Sequence, residues 1–155
     1  MNTLIRFPYK EIPEFIQREW SKIGVKMLIE TTDYPTLLEL TAQARINFFR
    51  ASWYGDYPDP ENFLAIYYSK NFSPGGANKT RYKNPEFDKL YEQTLTVQDQ
   101  KERNTLYQKM DQIATNDAPM IILFYDDVVR LMQKKVVGLD ATAMNNLVLE
   151  RVDFK

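Results

Sequence analysis

Over the first 53 residues the apolar pattern switches repeatedly between a two-residue and a 3.6-residue period, and helix-starting or helix-ending residues mark the switches. Residues 3–7 alternate apolar and polar, which predicts a short strand. Pro13 then opens a helix whose Ile12, Ile16, Trp20 and Ile23 share one stripe, and Gly24 closes it. Residues 25–29 read as a buried strand, Asp33 as the cap of a helix carrying Leu37, Leu38 and Leu40, and residues 46–53 as the next strand. This alternation predicts a mixed α/β fold, a β-α-β-α-β sheet with crossover helices.

Two further helices follow. Asp59 and Pro60 start a short helix through Phe63, Leu64 and Tyr67, and the turn-rich loop 71–78 comes after it. Asn84 and Pro85 begin a helix with Phe87, Leu90, Tyr91 and Leu95 on one face. Asp99 with Glu102 forms an acidic capping box for a helix ending near Asn116, whose Leu106, Met110 and Ile113 are core residues, and Ala118-Pro119 stops it. Residues 120–125 read as a central strand, and 128–132 and 147–154 as C-terminal strands. No repeat or low-complexity tract interrupts the chain. After Asp126-Asp127 helices give way to short strands and turn residues such as Gly138; by pattern alone this completes the same sheet.

Composition removes whole classes of chemistry. With 155 residues, 44% of them apolar and 14% aromatic, the chain is long and apolar enough for a core. It has no cysteine and no histidine, so disulfides, thiolate nucleophiles, Cys/His zinc sites and histidine-dependent triads are impossible. A net charge of -1 without a basic cluster argues against a nucleic-acid partner. No run is long enough to span a bilayer, and the N-terminus lacks the apolar core of a signal peptide.

The segment Trp53-Tyr54-Gly55-Asp56-Tyr57-Pro58-Asp59-Pro60 is where chemistry concentrates. It combines rings that cover a ligand, a glycine that admits close approach, and carboxylates that neutralise a cation. Each residue also has a structural reading: Asp56 as a turn-capping aspartate, Asp59 as a helix cap, Trp53 as core, Asn78 as a loop former. The cap reading is preferred for Asp59. A carboxylate enzyme of the glycoside hydrolase type, built on Asp56 with Asp59 or Asp126 with Asp127, is the rival from another class; chance proximity explains such pairs in a chain with 21 acids. Calcium binding by Asp56, Asp59 and Glu61 fails the EF-hand spacing, and no metal or cofactor is expected.

Taken in order, Ser52-Trp53-Tyr54-Gly55-Asp56-Tyr57-Pro58-Asp59-Pro60-Glu61-Asn62-Phe63, then Asn78, Tyr82-Lys83-Asn84-Pro85-Glu86-Phe87-Asp88-Lys89-Leu90, Arg103 and Tyr107, Asp117-Ala118-Pro119 and Lys135-Val136-Val137-Gly138 resemble the C-terminal part of bacterial family 5 extracellular solute-binding proteins. That family includes the periplasmic oligopeptide- and dipeptide-binding proteins of ABC transporters. The resemblance implies a periplasmic-binding-protein-like lobe within a longer, two-lobed parent, periplasmic or anchored as a lipoprotein on the outer face of the cytoplasmic membrane. Residues 1–125 would belong to the distal ligand-binding lobe, and 126–155 would return to the first lobe.

By the same resemblance the parent is noncatalytic and delivers a peptide or similar small solute to an ABC permease. Asp56 would pair with the ligand's free α-amino group, and Trp53, Tyr54, Gly55, Tyr57 and Asn78 would line the site. The ligand itself (dipeptide, oligopeptide, nickel complex, glutathione or sugar) is left open. A third expectation is an interaction module without a ligand of its own, in which the orphaned C-terminal strands pair with a second copy as a homodimer.

Overall fold

A computed structural model describes residues 1–4, 10–140, 142 and 144–155. The β-α-β-α-β alternation is present, with much less strand than the sequence predicts. Strand β1 (Asn2–Leu4) runs parallel to β2 (Glu30–Thr32), pairing Asn2 with Glu30 and Leu4 with Thr32. On its other side Asn2 forms a single parallel bridge to Phe49. The Asn2 amide donates to the Phe48 carbonyl at 2.9 Å, and the Arg50 amide donates to the Asn2 carbonyl at 3.1 Å. Residues 5–7 of the predicted first strand lie outside the described residues.

Two strand predictions need correction in this half. The second strand lies at 30–32 rather than 25–29; Leu28 is 67% exposed, and only Met27 of that run is buried. The third, predicted over 46–53, is reduced to the bridge at Phe49. A ladder extends only as far as its neighbour, and among the described residues only Asn2 of β1 pairs with this segment. Helix α1 (Glu11–Ser21) has Pro13 in its first turn, where the missing N–H is one of the orphan donors anyway. Gly24 closes the turn after it at φ +81°. Of the predicted stripe, Trp20 stacks on Phe48 with ring centroids 5.3 Å apart, joining helix to sheet, whereas Ile23 lies past the helix end and is 75% exposed.

The helices obey their caps. Asp33 accepts the Thr36 amide at 2.9 Å and starts α2 (Tyr34–Ala42). Asn84 accepts the amides of Glu86 and Phe87 at the start of α4 (Pro85–Thr94), and Asp99 accepts that of Glu102 at the start of α5 (Gln100–Asp117). Between them, α3 (Glu61–Leu64) and a 3-10 turn (Ser69–Asn71) carry the chain across one face. The core sits where α3, α4 and α5 meet, and consists of Leu64, Tyr68, Phe87, Tyr91, Tyr107, Met110 and Ala114. Phe87 and Met110 are wholly buried, each contributing about 1.5–3 kcal/mol by removal from water. Leu90 and Ile113 pack against this cluster as predicted.

Ala118, in the left-handed region at φ 47°, ends α5. Beyond it the predicted strands 120–125 and 128–132 do not form. Ile121, Leu123, Phe124, Tyr125, Val129 and Leu131 all face solvent, Leu131 at 94% exposure. These residues have strand-type side chains, but among the described residues no neighbouring segment supplies a ladder. The predicted strand 147–154 is confined to β4 (Asp153–Phe154), antiparallel to β3 (Val136–Val137). Gly138, at φ +76°, is required there: a Cβ would stand 1.9 Å from the Arg151 carbonyl oxygen.

Candidate functional site

The segment before α3 leaves the sheet at Phe49 and arrives at α3 through a turn whose backbone is pinned from inside. Asn62, on α3 and 3% exposed, is the pin. Its Oδ1 accepts the Trp53 indole N–H at 2.9 Å and the Asp56 backbone N–H at 3.2 Å, and its carbonyl oxygen accepts the indole again at 3.1 Å. Gly55 lies flat against the Phe63 ring; a Cβ there would meet the ring at 3.3 Å and the Met144 methyl at 3.4 Å. Its lack of a side chain keeps the turn close to α3.

Two donors that an aspartate in a turn ordinarily uses are missing around Asp56. An Asx-turn needs the N–H two residues on, and that residue is Pro58, which has none. The next donor, the Asp59 amide, is already given to the Tyr57 carbonyl at 2.9 Å. Asp56 is exposed, and among the described residues its carboxylate accepts no hydrogen bond and forms no ion pair. Tyr54, 73% exposed, and Tyr57 stand on either side of it in sequence, with Trp53 half-buried behind.

Asp59 has the opposite character. Its Oδ1 accepts the Glu61 amide and the Tyr107 hydroxyl, each at 2.9 Å, and its Oδ2 accepts Arg103 Nη2 at 2.6 Å. Burial pushes the Asp59 carboxyl up, but those three donors and the guanidinium charge outweigh it and hold it below the usual aspartate range. Asp59 lies one residue before the Pro60 N-cap of α3, where it accepts the Glu61 amide as a cap would, and it adds an anchor to α5. A carboxyl held down in this way is ill suited to act as the general acid of a hydrolase. Tyr57 and Tyr91 both donate to Glu61, and the Glu61 contact raises the Tyr57 phenol, aided by burial. An open cleft of about 310 Å³ borders this cluster, lined among others by Tyr57, Asp59, Glu61, Leu95 and Arg103.

Asn78 faces inward. It is wholly buried, and its amide donates to the carbonyls of Tyr67, Tyr68 and Tyr82 at 3.2, 3.1 and 2.9 Å while its Oδ1 accepts the Thr80 hydroxyl. Its own backbone pairs with Asn71 and Ser73 across the loop. The structure thus brings together Trp53, Tyr54, Gly55, Asp56 and Tyr57, and places Asn78 as the organiser of the neighbouring loop. Asn62 escaped the sequence reading as a site residue; an asparagine flanked by Glu61 and Phe63 has no pattern that sets it apart.

Residues 6–75 match the family described as bacterial extracellular solute-binding proteins, family 5 middle. The periplasmic oligopeptide-binding protein OppA of Salmonella typhimurium is 31% identical over 131 residues, 84% of this chain and 23% of its own length. Bacillus subtilis OppA is 32% identical over 121 residues, 77% of this chain and 22% of the relative. The chain belongs to the family 5 extracellular solute-binding proteins. It spans less than a quarter of the length of these relatives. Among solved structures, DppA from Helicobacter pylori in complex with the peptide STSA matches with a TM-score of 0.68 at 34% identity, over 76% of this chain and 23% of that one. AppA from Clostridium difficile, at 18% identity, shares the fold over 99% of this chain and 32% of its own, with a TM-score of 0.80.

Proposed function

We propose that this chain supplies one face of the ligand site of a peptide-binding protein that serves an ABC importer, with Asp56 as the partner of the ligand's α-amino group. The observation that carries the reading is the Asp56 carboxylate, stripped of its local donors by Pro58 and by the Tyr57–Asp59 hydrogen bond and, among the described residues, left without a protein partner beside exposed aromatic rings. An ammonium taken from water needs an opposite charge in contact with it, and an unpaired carboxylate on a rigid turn offers one without reorganisation. Tyr54 and Tyr57 contribute sequence-tolerant walls, Trp53 backs them, and Gly55 gives backbone access. The names of the relatives support peptide as the solute and the periplasm as the location.

Capture by such a protein works through closure of two lobes on the ligand, each adding contacts that favour the closed state. Residues 1–125 fit the distal lobe and 126–155 the segment that returns to the other. The exposed run 121–132 then has a natural cover in that other lobe, or in a second copy when the chain is alone. No catalytic step is assigned. Native mass spectrometry of the protein from its own source tests the reading: a co-purifying ligand with a free amino group supports it, and a ligand lacking any amine overturns the role of Asp56.

A further inference from the structure

We infer that Asn62 is the positioning residue of this site, the group that sets where the Asp56 carboxylate and the Trp53 ring stand for a bound primary ammonium; this rests on the reading of Asp56 given above. One side-chain oxygen gathers donors from two residues of the turn. An amide oxygen has two lone pairs, and here the indole of Trp53 takes one and the backbone of Asp56 the other, at 2.9 and 3.2 Å. The same side chain lowers the pKa of the nearby Tyr57 phenol against the stronger raising effects of Glu61 and of burial. Two of the residues assigned to the ligand, Trp53 and Asp56, therefore meet at a single asparagine.

The asparagine is itself fixed. Its backbone amide donates to the Asp59 carbonyl at 3.1 Å, and Asp59 is tied to α5 through Arg103 and Tyr107. A continuous path of short contacts thus runs from an 18-residue helix to the backbone N–H of Asp56. Holding that N–H restricts the dihedral that orients the Asp56 side chain, while the carboxylate stays free. Geometry, rather than charge, is what Asn62 supplies, and it touches no ligand. Its loss would leave the Asp56 N–H unpaired and the Trp53 indole with the Asn62 backbone carbonyl alone, freeing the turn to move toward water.

The test uses the 155-residue chain, labelled with nitrogen-15, and compares trialanine with N-acetyl-trialanine as titrants. The Asp56 amide and the Trp53 indole resonance report the response. The wild type is expected to respond to trialanine in preference to the acetylated form. In N62L, which keeps the volume and removes both lone pairs, that preference falls about tenfold, the worth of roughly one hydrogen bond. Resonances of Phe87 and Met110 stay in place. N62S, too short to reach both donors and mild toward folding, loses the preference as well and serves if N62L does not fold. A general structural role would weaken the response to both peptides equally and leave the preference intact, which overturns the inference about Asn62 and leaves Asp56 standing. A wild type with no preference for the free amine overturns the reading of Asp56 and the inference together.

Discussion

Arg103 reaches from α5 to place Nη2 2.6 Å from Asp59 Oδ2, joining residues 44 apart in sequence and closing the aromatic segment onto the helical core. The Tyr107 hydroxyl completes the contact on the other carboxylate oxygen. One end of the aromatic turn is thereby tied to a rigid element, which is what preorganised binding at the proposed site would require.

Replacing Arg103 with methionine keeps much of the aliphatic stem and removes the tie. The expected result is a lower thermal midpoint and broadened resonances for Trp53 and Asp56, with the α4–α5 core signals unmoved. Sharp, unshifted turn resonances in that variant would show that Arg103 does not hold the segment. Lysine is not expected to rescue, because it lacks the planar fork that serves Asp59 and Tyr107 together.

The same contact predicts a pH dependence. The Asp59 pKa is lowered in the fold, so its contribution to stability is fully present above the unfolded aspartate value of about 3.9 and is lost as pH falls through the folded value. Asp117, held down by the Tyr82 hydroxyl and the Asn84 side chain, adds in the same direction. Urea unfolding from about pH 5 to about pH 2 should show falling stability, with a smaller slope in Asp59→Asn. Equal slopes in the two proteins would contradict this account of Asp59.

Asn78 separates architecture from binding. Asn78→Ala removes the side-chain donor to the carbonyls of Tyr67, Tyr68 and Tyr82, of which Tyr68 keeps the Asn71 amide, and should cost about 2 kcal/mol or more in urea unfolding. The variant's preference for a free-amine peptide should be unchanged. A loss of that preference in a fully folded variant would return Asn78 to the ligand contacts.

Helices were legible in the sequence because their signals are local. Asp33, Asn84 and Asp99 each cap a helix within three residues, so spacing alone locates α2, α4 and α5. Strands depend on a neighbour that spacing does not encode: residues 25–29, 46–53, 120–125 and 128–132 all have the right side chains, yet only Phe49 finds a bridge. The site divides in the same way. Asp56 and its rings stand out by composition, whereas the pin at Asn62 depends on a contact across nine residues that only the folded chain reveals.

The run 121–132 carries a prediction about the chain in isolation. Its amides should exchange at near-coil rates in a monomer, because no ladder protects them, or light scattering should detect a dimer in which they are protected. A strict monomer with these amides strongly protected would contradict both the exposed arrangement and its cover by another chain.

The central claim, that Asp56 receives the amino end of a peptide, is tested most directly by calorimetric titration of a mixed tripeptide pool into wild type and Asp56→Asn. If the chain is one lobe of the binding protein, as proposed, it supplies only part of the contacts and excludes little water, so the wild type should bind weakly, in the millimolar range, and the variant should show no heat above dilution. Low-micromolar binding that Asp56→Asn leaves unchanged would contradict the account.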